Sequence, residues 1–521
     1  MFHGSPDLIS SQRIMAKLIA GRSKAMVCAL TVVLLGGCAV GPDFKTPAAP
    51  KEAGYTPEPL SAETNASNVQ GGDTQRFVMD RDIPAEWWAL YHSEALNDLI
   101  VRALKANPSI DSAKAALRKA QENLYAQEGS FFPSVTANIS DTREKISTAS
   151  FGFPGLSSSV FSVGSASLNV SYSPDIFGGT RRQVEESAAE LEYQRYQLAA
   201  AYLTLTSNVV TYAVQEASLR AQIAATQQII DVEANLLNIL RQQFTLGGAT
   251  GAAVLAQQAT LAQERAALPP LEKQLQQTRN QLAVLAGRFP NEDIGVAFAL
   301  TDLKLPEELP VTLPSKLVAQ RPDILAAQAQ LHEASAQIGV ATANELPSIS
   351  LTGSYGSTGS PASQLFSPGT GVWSVAGSLA QKLFDGGTLL HERRAAVAAY
   401  DQSAAQYRST VLSAFQDVSN ALRALQSDAN ALAANVEAEQ AAAKSLELTK
   451  QQFQFGAVNY SALLTVEQTY QQTRVSLVQA QAARYSDTAA LFQALGGGWQ
   501  NNPDLMADSD DAGQKTASVA Q

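Results

Sequence analysis

RRQVEESAAELEYQRYQLAAAYLTLTSNVVTYAVQEASLRAQIAATQQIIDVEANLLNILRQQFTL, residues 181–246, contains neither glycine nor proline. The same is true of a second stretch, Thr388 to Phe455. At about 1.5 Å per residue, each would run roughly 100 Å as a helix, several times the usual globular length. Apolar residues in the first recur every seven positions: Val184, Leu191, Leu198, Leu205, Tyr212 and Leu219. The seam then passes to Ile223, Ile230, Leu237 and Phe244. The second stretch has the paired form, Val411/Phe415 followed by Val418/Leu422. A seven-residue repeat sustained over many turns predicts helices supercoiled around neighbours. Taken alone, these stretches would suit a solvated coiled-coil spacer.

The segments before and after them repeat. Pro108 to Pro133 and Pro322 to Pro347 have the same spacing, and Ile110, Ala113, Leu117 and Ala120 match Ile324, Ala327, Leu331 and Ala334. Gly178-Gly179-Thr180 matches Gly386-Gly387-Thr388. Gln242-Gln243-Phe244-x-x-Gly247 matches Gln451-Gln452-Phe453-x-x-Gly456. The chain therefore reads as a tandem duplication, with a unit far longer than a solenoid repeat. Each unit runs helix, strand, Gly/Ser-rich loop, strand, Gly-Gly turn, long helix, Gly turn, return helix. The return helices are expected from about Ala253 to Ala286 and from about Leu463 to Leu495. Pro269-Pro270 is expected to kink or split the first.

The strands alternate with period two. Val135, Ala137 and Ile139 alternate with Thr136, Asn138 and Ser140; Ala166, Leu168, Val170 and Tyr172 alternate with Ser and Asn. Ile349, Leu351, Gly353 and Tyr355 share a face, as do Trp373, Val375, Gly377 and Leu379. Strands of about ten residues, apolar on one face and Ser/Thr/Asn on the other, suit a barrel wall with lipid outside and water inside. A half-buried soluble sheet gives the same alternation. Four strands cannot close a barrel, and open edges are not tolerated in lipid, so the chain must oligomerise. Two copies would give a wall filled by side chains; three would leave room for water.

The N-terminus supplies an address. Arg13, Lys17, Arg22 and Lys24 precede an apolar run from Ala25 to Leu35 and then Gly36-Gly37-Cys38, the layout of a signal peptide. Met15 is an alternative start. Leu35-Gly36-Gly37-Cys38 resembles the lipobox of bacterial lipoproteins, in which the cysteine is acylated; an ordinary signal peptide with a chance cysteine is the alternative. Cys28 lies in the removed segment, so the mature chain has no disulfide partner. Removal of residues 1–37 takes the net charge from −11 to −14, which argues against nucleic acid. No run approaches 18 apolar residues, so any membrane crossing must use strands.

Cys38-Ala39-Val40-Gly41-Pro42-Asp43-Phe44, Trp87-Trp88, Asn107-Pro108 and the duplicated unit together resemble the outer-membrane factors, the TolC-like channel proteins, in the lipoprotein branch containing OprM and NodT. The resemblance covers roughly residues 38–500. It implies an α+β membrane protein: a homotrimer whose twelve-strand outer-membrane β-barrel, four strands per chain, is continued by an α-helical coiled-coil tunnel through the periplasm. It implies outer-membrane lipid around the barrel, a periplasmic adaptor as partner and an inner-membrane pump of the RND type, exporting small molecules. A conduit for protein secretion would look nearly the same, and a structural coiled-coil adaptor is a more distant alternative.

The expected organisation is a signal peptide (1–37), a lipidated tether (38–84), a first repeat (85–290), a connector (291–312), a second repeat (313–498) and a polar tail (499–521). Trp87 and Trp88 are expected to anchor the chain start in a core. No catalytic constellation, zinc spacing or phosphate loop is present, so neither an enzyme nor a cofactor is expected. The functional positions are Cys38 for lipidation and the hairpin tips, Leu246-Gly247-Gly248 and Phe455-Gly456-Ala457. Helix caps explain the tip glycines; the resemblance adds adaptor contact. It also places the periplasmic gate at Phe453, Ala462 and Thr465; relatives often carry acids at the positions of Ala462 and Thr465, and some a tyrosine at that of Phe453. Here none is charged, so closure by packing of small and apolar residues is expected. Glu467, the nearest acid, is turned about 200° from Thr465.

Overall fold

The computed structural model describes residues 39–51, 54–59, 61–146, 159–503 and 505. The expected signal segment, Cys38 and the tail from residue 506 lie outside them. The main elements in order are β1 (Arg76–Met79), α1 (Glu94–Ala106), α2 (Pro108–Glu128), β2 (Ser134–Ile146), β3 (Ser159–Tyr172), α3 (Gly179–Thr245), α4 (Gly251–Leu285), β4 (Glu308–Val311), α5 (Pro322–Asn344), β5 (Ser348–Gly359), β6 (Gly371–Ala380), α6 (Thr388–Gln454) and α7 (Tyr460–Ala494). The duplication is carried into lengths: α3 and α6 have 67 residues each, and α4 and α7 have 35 each.

The chain divides into two compact units. The first contains residues 39–46, 119–191 and 329–405 and holds one antiparallel sheet in the order β2-β3-β5-β6. Its register puts the alternating apolar residues of all four strands on one face, which Asp141, Arg143 and Lys145 continue along β2, while Phe161, Val163 and Val372 lie on the other. Val135 opposes Val170, Ala137 opposes Leu168, Leu168 opposes Tyr355, and Tyr355 opposes Trp373. That face is bare in the single chain: Ile139, Trp373 and Val375 are 75–82% exposed. Serines on the opposite face bond across strands, Ser140 to Ser165 at 2.8 Å, Ser350 to Ser378 at 2.7 Å and Ser354 to Ser374 at 2.8 Å. Among the described residues, β2 and β6 each have one unpaired edge.

The second unit contains residues 47–118, 192–328 and 406–505. Within it the predicted seam is buried at Leu198, Leu205, Leu219, Ile230 and Leu237, and Val418 and Leu422 are fully enclosed. Trp87 and Trp88 are buried as expected; Trp87 stacks on Phe492 at 5.2 Å between ring centres. Tyr91 Oη donates to the Tyr485 carbonyl at 2.8 Å, satisfying the one polar atom that so deep a burial would otherwise orphan.

Two expectations are narrowed. Helix α4 is not split: it runs through Pro269 and Pro270 without interruption. Both prolines lie on an exposed turn, so water can take the carbonyls their missing N–H groups leave free. The described residues of the expected tether do not hang free. β1 pairs in parallel with β4, Arg76 against Glu308 through Met79 against Val311. Gln75, fully buried, donates to the Pro306 carbonyl and to Thr488, and receives Arg484 Nη2 at 2.9 Å. The start of the polar tail is also fixed, since Trp499 Nε1 donates to the Gln320 carbonyl at 2.6 Å.

Candidate functional site: hairpin tips and an N-terminal clasp

The two helical hairpins turn identically. At the end of α3, Gly247 N–H donates to the Phe244 carbonyl at 3.0 Å and Gly248 N–H to the Gln243 carbonyl at 2.7 Å. At the end of α6, Gly456 N–H donates to Phe453 at 3.0 Å and Ala457 N–H to Gln452 at 2.9 Å. These are Schellman motifs, with the left-handed residue at Gly247 (φ +78°) and Gly456 (φ +71°). The following helices are capped alike: Thr250 Oγ1 accepts from Ala253 N–H, and Asn459 Oδ1 from Ala462 N–H. The turns leave large apolar side chains in solvent, Leu246 at 86% and Phe455 at 87% exposure.

The positions assigned to the gate do not share one surface. Phe453 packs into an apolar cluster formed by Leu236, Leu240, Leu446 and Leu463, edge-on to Tyr460 at 6.2 Å. Ala462 and Thr465 lie on the exposed face of α7, while Glu467 is turned inward and 2% exposed.

In the first unit, the residues after Cys38 form a clasp around Arg182. This guanidinium, nearly buried, donates to the Val40 carbonyl at 3.0 Å, to Asp43 Oδ1 at 2.8 Å and to Glu185 Oε2 at 2.7 Å. Glu185 also contacts His332 Nε2 at 2.9 Å, and the His332 ring stacks on Phe44 at 4.4 Å. Those bonds, from His332 first and Arg182 next, hold the Glu185 carboxyl below its ordinary range. Gly41, at φ +95°, passes so close to Gly339 that a Cβ on it would strike that backbone. Sequence reasoning noticed the Gly-Pro-Asp-Phe run but neither Arg182 nor the use of His332.

The chain as a whole matches known proteins. The family model for outer membrane efflux proteins fits residues 99–288 and 313–497, one segment per repeat. The chain belongs to the outer membrane efflux protein family. It resembles the pyoverdine export outer membrane protein OpmQ of Pseudomonas aeruginosa, with 28% identity over 465 residues, covering 88% of this chain and 96% of that one. Among solved structures, the outer-membrane channel OprN superposes with a TM-score of 0.78 at 27% identity, covering 89% of this chain and all of that chain. The open-state MtrE outer membrane channel of Neisseria gonorrhoeae gives 0.75 at 27% identity, covering 89% and 99%. As an outer membrane efflux protein, the chain is an outer-membrane channel component of efflux and a conduit rather than an enzyme.

Proposed function

We propose that three copies of the chain join the free edges of β2 and β6 into a twelve-strand barrel, which α3, α4, α6 and α7 continue as a periplasmic tunnel. The observation that carries this is the sheet: one face apolar and exposed around Ile139, Trp373 and Val375, the other carrying serine pairs, with an unpaired edge at each side. An unpaired edge in hydrocarbon would leave each backbone group without a partner at several kcal/mol, so only closure makes such a wall stable. The two repeats then contribute equally, 85–290 and 313–498, with 291–312 as connector.

The exposed Leu246 and Phe455 tips take a periplasmic adaptor, which links the channel to an inner-membrane pump of the RND type. Adaptor contact splays the tips and relieves packing near Phe453, Ala462 and Thr465. Cys38 carries an acyl anchor, and the Arg182 clasp fixes where that anchor leaves the fold. The cargo is small molecules, a reading favoured over protein secretion by the likeness to a protein named for pyoverdine export. Reconstitution into planar bilayers tests the conduit: single-channel currents larger in Phe453→Ala than in wild type are expected, and the absence of currents from both, correctly folded, would refute it.

A further inference from the structure

Close to the tips, the four long helices meet around carboxylates that face inward, out of solvent. Glu233 of α3 is fully buried and Glu467 of α7 nearly so. Glu233 is well supported: Gln471 Nε2 donates to its Oε1 at 3.0 Å, and Gln257 Nε2 to its Oε2 in a short contact. Glu467 is not. Its Oε2 has no partner among the described residues, and its Oε1 has only Lys450 Nζ at 3.6 Å. Gln257 Oε1 and Tyr460 Oη are likewise buried and unpartnered. The charged and titratable groups gathered around Glu467 come from every helix of the junction. They are Glu233 on α3, Glu264 on α4, Lys450 on α6 and Tyr460 beside Glu467 on α7. With both buried carboxylates ionised, one lysine cannot balance them, and the oxygen lacking a donor is where negative charge is least supported.

We propose that Glu467 is a proton-binding site at which the two hairpins of one chain are locked together: protonated, it lets the four helices close beside the tips; ionised, it loosens them. Burial first, and then the Glu233 charge, push Glu467 up to about 7, against the pull of Lys450. Glu264 is raised for the same two reasons. The apolar clusters around the pair make the lock mechanical. Leu236, Leu240, Leu446 and Leu463 draw from α3, α6 and α7, and Ile230, Leu237 and Leu261 from α3 and α4. Any motion that separates the hairpins therefore brings water to Glu467.

Once hydrated in a splayed junction, Glu467 would titrate at its ordinary 4.5. The closed junction thus holds its full advantage below about pH 4.5. That advantage falls as pH rises and is exhausted above about 7, so tips become easier to splay on going from acid to neutral periplasm. The significance for opening rests on the tips being the adaptor-facing end; the lock itself does not.

The test is amide hydrogen exchange of the full-length protein in detergent at pH 5 and pH 7.5, corrected for intrinsic exchange and read in residues 230–262 and 446–471. Wild type is expected to exchange about tenfold or more faster at the higher pH. Glu467→Gln is expected to hold the slow rate at both. Glu233→Gln, which withdraws the neighbouring charge, is expected to move the transition to lower pH even where Glu467→Gln fails to assemble. A wild-type rate independent of pH, an unchanged dependence in Glu467→Gln, or an unmoved transition in Glu233→Gln would each overturn the proposal. Absent conductance would instead sink the channel reading and leave this one standing.

Discussion

Arg182 Nη2 lies 2.8 Å from Asp43 Oδ1, tying the first turn of α3 to the residues that follow Cys38. The two ends of this pair are unequal, because the Arg182 side chain is 5% exposed and that of Asp43 is 88% exposed. An ion pair with one end in water adds little. The part-buried Val40 carbonyl and Glu185 that also depend on Arg182 matter more. Asp43→Asn is therefore expected to cost no more than about 1 kcal/mol, whereas Arg182→Met, which removes the bonds to Val40 and Glu185 together, should cost about 2–3 kcal/mol. Chemical denaturation of the two variants, with limited proteolysis of residues 39–46, checks the ranking; equal losses would make the Asp43 contact the source of the strength.

Gly247 and Gly456 have positive φ, yet a Cβ on either would meet nothing within 4 Å. Their requirement is conformational alone. Gly247→Ala and Gly456→Ala should each cost about 1 kcal/mol of local stability through the left-handed backbone. Gly248→Ala, at a position without positive φ, should be close to neutral. Hydrogen exchange in the last turns of α3 and α6 separates these outcomes.

Glu333 is pushed up to about 7 by burial and then by Glu190 and Glu186. A carboxyl whose pKa is raised on folding favours the folded state most below its unfolded value. That contribution declines between about 4.5 and 7. Glu333→Gln should accordingly raise the melting temperature at pH 7.5 and leave it nearly unchanged at pH 4.5. Scanning calorimetry at the two values decides; a larger gain at the lower pH would contradict the assignment.

Trp87 is fully buried against Phe492, Trp88 and Tyr91, and its Nε1 has no hydrogen-bond partner. Trp87→Ala should cost about 3–5 kcal/mol by opening a cavity. Trp87→Phe should lose much less, since it also removes an unsatisfied donor. Denaturant midpoints measure both.

The elements legible in the sequence are those that repeat a short period many times. The seam from Leu198 to Leu237 and the alternation in β2, β3, β5 and β6 each leave several residues in phase, and the duplication doubled the signal. β1 and β4 left none: RFVM and ELPV are four residues each, one containing Pro310, and they pair across more than the full length of a repeat. Arg182 was hidden for another reason. It sits in the polar start of a helix, and its partner Asp43 is 139 residues earlier. The inward turn of Glu467 followed from helix geometry, but the buried Glu233 facing it belongs to the other repeat, which no local pattern connects.

The central claim is that β2 and β6 are completed by neighbouring copies of the same chain, and native mass spectrometry of the detergent-extracted protein tests it most directly. Three chains per particle, with no folded monomer at any detergent concentration that preserves strand circular dichroism, is the result expected. A monomer that keeps its sheet, or a particle of two chains, would contradict it.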